Sequence, residues 1–142
     1  MSGRVAYLLD TNLLSETRKP NPDRGVIRFL EAADSSALFI SVLTLGELRK
    51  GIAAKKLKDP DPLAASRLAA WVDGLEQSFA DRLIGIDAAT AKLWGDLSGD
   101  RPRPVVDALL AATAMLHDLT LVTRNIRDVR GTAVKLLDPW VE

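Results

Sequence analysis

Cysteine is absent from the 142 residues, which removes disulfides, thiolate metal sites and thiol catalysis from consideration. Aromatic residues make up 5%, too few to propose a platform on which bases would stack. Acidic and basic residues cancel at 19 each, so the field of the whole molecule says nothing about nucleic acid; any such reading must rest on local charge. No apolar run approaches the roughly 20 residues needed to cross a bilayer. Met1-Ser2-Gly3-Arg4 leads straight into the first strand pattern without the apolar core of a signal peptide. The expectation is a soluble cytoplasmic protein with no membrane association. Where a dinucleotide-binding module needs a glycine-rich turn after its first strand, this chain has Asp10-Thr11-Asn12. Internal repeats, linkers and low-complexity tracts are lacking as well.

What is present has a globular balance, 47% hydrophobic and 27% charged, in a length suited to one core. A single domain over residues 1–142 is expected. Val5–Leu9, Leu38–Ser41, Leu83–Ile86, Leu119–Thr123 and Val134–Leu137 are short and apolar, as strands buried on both faces are. Between them, Asn12–Arg18, Arg24–Ala33, Leu45–Leu57, Leu63–Phe79, Ala88–Ser98 and Val105–His117 carry apolar residues at helical spacing. Alternation of strand and helix predicts an α/β fold, a three-layer α/β/α domain with a central parallel sheet. Prolines at 20, 22, 60, 62, 102 and 104 punctuate the helices, and Pro104 suits a first helical turn. Leu68, Trp71, Val72, Leu75 and Phe79 form a helical stripe that reads as core. Trp94 reads as core too, and Trp140 as a pin for the C-terminus.

The strand Tyr7-Leu8-Leu9 stops at Asp10, and ligand sites of parallel sheets lie at the carboxyl ends of strands. Glu47 follows the second strand and Asp107 opens the helix before the fourth. Each has a purely structural explanation. Asp10 can cap the next helix; Thr44 and Glu47 fit a capping box; Asp107 falls in a first helical turn, where the dipole favours a carboxylate. Asp87 is taken as the control, an acid that is only a cap. Should the three elements be neighbours in the sheet, the carboxylates converge. Like charges within about 4–6 Å oppose ionisation, and a hard divalent cation, Mg²⁺ or Mn²⁺, relieves that cost. Thr123-Arg124-Asn125-Ile126-Arg127-Asp128 leaves another strand end, where Thr123 and Asn125 offer hydrogen bonds and Asp128 a further carboxylate.

Four segments, Leu9-Asp10-Thr11-Asn12, Ser41-Val42-Leu43-Thr44-Leu45-Gly46-Glu47-Leu48, Val106-Asp107-Ala108-Leu109-Leu110-Ala111-Ala112 and Val122-Thr123-Arg124-Asn125, resemble those of PIN-domain ribonucleases. The resemblance is to the VapC-type toxins of bacterial toxin–antitoxin pairs, FitB-like subgroup, and covers nearly the whole chain. It implies a PIN fold, an Mg²⁺/Mn²⁺ pocket held by Asp10, Glu47 and Asp107, and hydrolysis of RNA phosphodiester bonds. It also implies a homodimer, inhibition by a small cognate antitoxin, and DNA contact only through that antitoxin; tRNA is one candidate substrate. Asp128 is expected to join the catalytic acids, with Thr11, Asn12, Thr44, Thr123, Asn125 and Arg124 positioning substrate or water. Members often carry phenylalanine after the fourth acid, where this chain has Val129, and asparagine before Pro-Trp, where it has Asp138.

Metal-held water dispenses with histidine as a base, so His117, at a helix end, reads as structural. Arg18, Lys19, Arg49, Lys50 and Arg127 read mostly as a solvated face; Arg124 is singled out to hold phosphate, since its fork matches that group. Two other readings are kept. A PIN fold without catalysis would work as a binding subunit through its antitoxin. A phospho-receiver domain has similar length, but it needs an acidic pair after the first strand and a lysine after the last, and only Asp87 fits its pattern.

Overall fold

Leu8 and Leu9 of the first strand, β1 (Tyr7–Leu9), are both fully buried, because helices cover the sheet on either side. The computed structural model describes residues 5–141. After β1 the chain runs through α1 (Thr11–Glu16), α2 (Arg24–Ala32), β2 (Leu38–Ser41), α3 (Val42–Lys58), α4 (Ala64–Ser78), β3 (Leu83–Ile84) and α5 (Ala88–Leu97). It ends with α6 (Val105–Leu116), β4 (Thr120–Val122), α7 (Ile126–Val129) and β5 (Leu136–Leu137). All pairings are parallel and the strand order is β3-β2-β1-β4-β5. The chain winds outward from β1 through β2 to β3, then returns to lay β4 against the free side of β1. The reversal leaves a crevice at the carboxyl ends of β1 and β4, the place where ligands bind in open α/β sheets.

Alternation along the strands sorts the core into two layers. Leu8 and Leu121 pack with Leu110, Ala111, Ala114 and Val129 on one face. Their neighbours Leu9 and Val122 pack with Leu13, Val26, Ile40 and Phe79 on the other. Successive side chains point to opposite faces of a strand, so two adjacent leucines serve both layers. The α6 face against the sheet is nearly all small, with Ala108, Ala111, Ala112 and Ala114 each at zero exposure; short side chains let the helix lie close. A third cluster, Leu48, Ile52, Ala65, Leu68 and Val72, with Trp71 and Leu75 against it, joins α3 and α4 as a hairpin. The expected stripe is thus core, with Phe79 turned into the second layer.

Several expectations need correction. The third helix starts at Val42 rather than Leu45, because the Ser41 hydroxyl accepts the Leu43 N–H at 3.0 Å and caps it directly at the strand end. Thr44 therefore lies inside the helix, and the Thr44–Glu47 capping box does not exist. Pro104 sits at the N-cap of α6, one position before the first turn. Strand ends are also trimmed relative to the apolar runs: Ala6, Leu119 and Val134 pack in the first core layer beyond the strand ends, and the Ala6 carbonyl still accepts the Thr120 N–H at 2.8 Å. Trp94 is only half-buried and lies outside the three clusters. His117 is the exposed C-cap residue of α6.

Trp140 pins the C-terminus as expected, packing against the second layer. The anchor beside it was not foreseen. Asp23 Oδ1 accepts the N–H groups of Gly25 and Val26 at the start of α2, and that of Val141 at 3.1 Å. Asp138 accepts the N–H of Trp140 at 3.0 Å, a contact that an asparagine carbonyl oxygen would equally make.

Candidate active site

Asp10 is the N-cap of α1 and is 4% exposed. One oxygen accepts the Thr11 N–H at 2.7 Å, and the other accepts the Thr123 hydroxyl at 2.7 Å across the β1–β4 crevice. Burial pushes the Asp10 pKa up, opposed by hydrogen bonds from Thr123 and from the backbone of Thr11 and Asn12. The cap reading was correct but incomplete: half of this carboxylate is spent outside its own helix.

Glu47 lies on α3 one turn beyond Leu43, and its Oε1 accepts the Thr11 hydroxyl at 2.5 Å. With the one Thr11 proton on Glu47, the 3.3 Å contact between Thr11 and Thr44 Oγ1 leaves Thr44 to supply the proton there. The parallel pairing of β1 with β2 brings these residues together, although 36 positions separate Thr11 from Glu47. A cleft of about 560 Å³ opens beside Glu47, walled by Thr11, Val42, Leu43, Lys50 and Val106.

Asp107 is in the first turn of α6 and half-buried. Its pKa is pushed up to about 7, first by burial, then by the charge of Asp10, a hydrogen bond with Asp128 and the charges of Asp128 and Glu47. Asp107 therefore feels the other three acids. The ion pairs Lys19–Glu16, Arg49–Asp73 and Arg103–Asp100 lie outside this group. By contrast Asp87 behaves as the control should: it caps α5, accepting the Thr90 N–H and hydroxyl, and its pKa is lowered.

The acids face one another without forming a finished cage. Among the described residues no three acidic or histidine side chains stand at metal-ligating spacing. Asp10 and Glu47 are instead turned onto Thr123 and Thr11. The donor set is nonetheless all oxygen and all anionic, which fits a hard divalent cation and no soft one.

Asp128, in the four-residue α7, reaches Asp107. Asn125 contributes its backbone, donating its N–H to the Thr123 hydroxyl oxygen at 3.0 Å, and its side chain makes no capping bond. Val129, where the resemblance led to phenylalanine, is 1% exposed in the first core layer. Asn12, whose backbone also hydrogen-bonds Asp10, and Arg124 line a second cleft, with Ser15, Glu16, Lys19 and Trp140. Among the other basic residues, Arg18 stacks over Trp71 at 5.2 Å, Lys19 pairs with Glu16 at 2.8 Å, and Arg49 faces Asp73 at 3.9 Å. Glu16 and Asp23, both buried, were read only as helix and loop residues. The Pro-Asp step before Arg24 carried the one usable signal, an N-cap.

A five-stranded parallel sheet with acids gathered at its switch point defines the class, an α/β domain with an acidic crevice. The chain belongs to the PIN domain family, whose model matches residues 7–133. VapC ribonuclease Y4jK of Sinorhizobium fredii is 28% identical over 138 residues, covering 94% of this chain and 96% of that protein. The crystal structure of FitAcB from Neisseria gonorrhoeae superposes with a TM-score of 0.84 at 26% identity, covering 96% of this chain and 99% of that one. A toxin–antitoxin complex from Klebsiella pneumoniae gives 0.72 at 25% identity, with 95% and 98% covered. The observed strand order also sets the chain apart from a phospho-receiver, whose order is 2-1-3-4-5.

Proposed function

We propose that this chain is a divalent-metal-dependent endoribonuclease, the toxin of a toxin–antitoxin pair. The observation that carries the reading is Asp107, whose pKa is pushed up to about 7 by burial first and then by the charge of Asp10, a hydrogen bond with Asp128 and the charges of Asp128 and Glu47. Asp10, Glu47 and Asp107 would hold Mg²⁺ or Mn²⁺. Such an ion, when bound, lowers the pKa of water and neutralises charge on a phosphoryl group. The protein's own part is positioning. Thr123 and the Thr11 N–H fix both oxygens of Asp10, the Thr11 hydroxyl fixes Glu47, and Asp128 hydrogen-bonds Asp107. The names of the ribonuclease and toxin–antitoxin relatives support this reading.

The 560 Å³ cleft beside Glu47, with Val42, Leu43 and Val106 on its walls, suits an apolar segment of an antitoxin. A homodimer, a cytoplasmic site of action and DNA contact through the antitoxin alone complete the proposal. The test is cleavage of RNA by purified protein with Mg²⁺ or Mn²⁺, with EDTA, and with Asp10→Asn. Cleavage is expected only from the wild type with metal. Activity surviving EDTA removes the metal mechanism, and a wild type as inert as Asp10→Asn leaves a non-catalytic binding subunit.

A further inference from the structure

Asp128, the acid that reaches Asp107, stands on α7, and four residues are too few for a helix to hold its own position. Its place is set by ties to the rest of the molecule. At the start, the Asn125 N–H donates to the Thr123 hydroxyl oxygen at 3.0 Å. In the middle, Val129 enters the first core layer. The Val129 carbonyl accepts the Thr132 hydroxyl at 2.7 Å and the Thr132 N–H at 3.2 Å, which closes the turn only on itself.

The far end of α7 is tied through the Arg130 carbonyl, which accepts Arg101 Nη2 at 2.6 Å and Arg103 Nη2 at 3.3 Å. Both arginines belong to the loop between α5 and α6. Arg103 is itself clamped, its side chain 2% exposed. Its fork grips both Asp100 oxygens, at 2.6 and 3.1 Å, and Nη1 also donates to the Leu97 carbonyl at the end of α5. Gly131, at φ +93, turns the chain past this guanidinium, and a Cβ there would stand 3.2 Å from Arg103 Nη2. Pro102 and Pro104 stiffen the loop on either side of Arg103. Pro104 is the N-cap of α6, whose third residue is Asp107. One stiff loop thus opens the helix of one acid and grips the helix of the other.

We propose that Arg101 and Arg103 are positioning residues: by tying the Arg130 carbonyl to the loop that opens α6, they hold Asp128 beside Asp107, so that the fourth acid serves the cation site. The inference rests on the ribonuclease reading and adds what aims that acid. Positive charge near a cation site repels the cation, so an arginine acting by charge alone would weaken metal binding, and its removal would strengthen it. A group that orients a carboxylate acts the other way, and losing such a group typically costs about 10–100-fold in metal affinity or activity. The two roles differ in sign.

The experiment measures Mn²⁺ affinity of the full chain by calorimetry, and kcat and KM on mixed-sequence single-stranded RNA at saturating Mn²⁺. It compares Arg101→Ala, Arg101→Lys, and Arg101→Ala with Arg103→Lys, each in the wild-type and the Asp128→Asn background. Arg101 is exposed, so its variants fold. Lysine at 101 keeps a donor for the Arg130 carbonyl; lysine at 103 keeps the charge beside Asp100 but cannot fork onto Arg130 as well. Arg101→Ala is expected to weaken Mn²⁺ binding by about 3-fold and the double variant by about 10-fold. In both, kcat should fall with KM unchanged, and Arg101→Lys should stay near wild type. In Asp128→Asn the same changes should cost nothing more, because the arginines act through that acid. Tighter Mn²⁺ binding without the arginines would show that they act by charge, and equal losses with and without Asp128 would make them general scaffold; either overturns the proposal. Unchanged affinity in Arg101→Ala, or in Asp128→Asn, overturns this inference alone while the wild type still binds Mn²⁺ and cleaves RNA. A wild type that binds no Mn²⁺ and leaves RNA whole overturns it together with the ribonuclease reading.

Discussion

Thr123 and Asp10, 113 positions apart, are joined by a buried hydrogen bond of 2.7 Å from hydroxyl to carboxylate. The register of β4 against β1 makes it possible, pairing Leu9 with Val122 so that the next residue of each strand meets the other. Thr123→Val keeps the shape and deletes the donor, leaving a buried carboxylate oxygen short of a partner. It should cost about 1–3 kcal/mol in urea unfolding and reduce RNA cleavage, while Thr123→Ser restores both. A valine variant as stable as wild type would show that the hydroxyl contributes nothing to the fold.

Asp107 makes stability depend on pH in a stated direction. Its folded pKa of about 7 lies above the ordinary 3.8. Between those values the folded chain keeps a proton that the unfolded chain has released, so this group's effect on stability worsens as pH rises through 7. Without divalent metal, Asp107→Asn should therefore raise Tm more at pH 8 than at pH 5. Adding Mn²⁺ should raise the wild-type Tm at pH 8 and narrow the gap. A Tm difference independent of pH would mean that folding does not raise the Asp107 pKa.

Gly25 has no room for a side chain. Gly25→Ala would drive a methyl group into the Pro139 carbonyl oxygen, and backbone cannot yield as a side-chain tip does. A loss of about 1–3 kcal/mol is expected, with Trp140 fluorescence shifting as the tail leaves its seat. An unchanged spectrum and Tm would place the tail elsewhere in solution.

Asp87 supplies the counter-case. Asp87→Ala removes the cap of α5 and strips Thr90, fully buried, of two hydrogen bonds. Tm should fall while RNA cleavage at a permissive temperature stays at the wild-type rate. A specific loss of cleavage would mean that this acid does more than cap.

Much of the scaffold could be read from local pattern. Apolar runs such as Leu38–Ser41 are strands because a two-faced core demands them, and helical spacing at Leu68, Trp71, Val72 and Leu75 marks a packed face. Boundaries were less legible where two caps competed: Ser41 won over Thr44 because it stands where the strand ends, a fact of geometry and not of composition. The short α7 escaped notice, since four residues are too few to show a period. Among candidate site residues, Asp10, Glu47 and Asp107 stood out by their positions after or before strands. Asp128 and Asn125 were indistinguishable, since both follow the same strand and both carry oxygen. Arg124 lies 5.5 Å from the Trp140 ring centre, sixteen residues on, and nothing local links them.

What the amino-acid order determined by itself was the alternation of elements, and hence a parallel sheet with carboxylates placed at helix starts. Those features depend on neighbours a few residues apart, where propensity and capping act. Only the tertiary structure decided which strand lies beside which. Placing β4 against β1 sets Thr123 on Asp10, turns Asp107 toward Glu47 and Asp128, and lays Trp140 under Arg124. Coulomb repulsion, burial and stacking depend on distances through space, and chain separation carries no information about those until the sheet has closed.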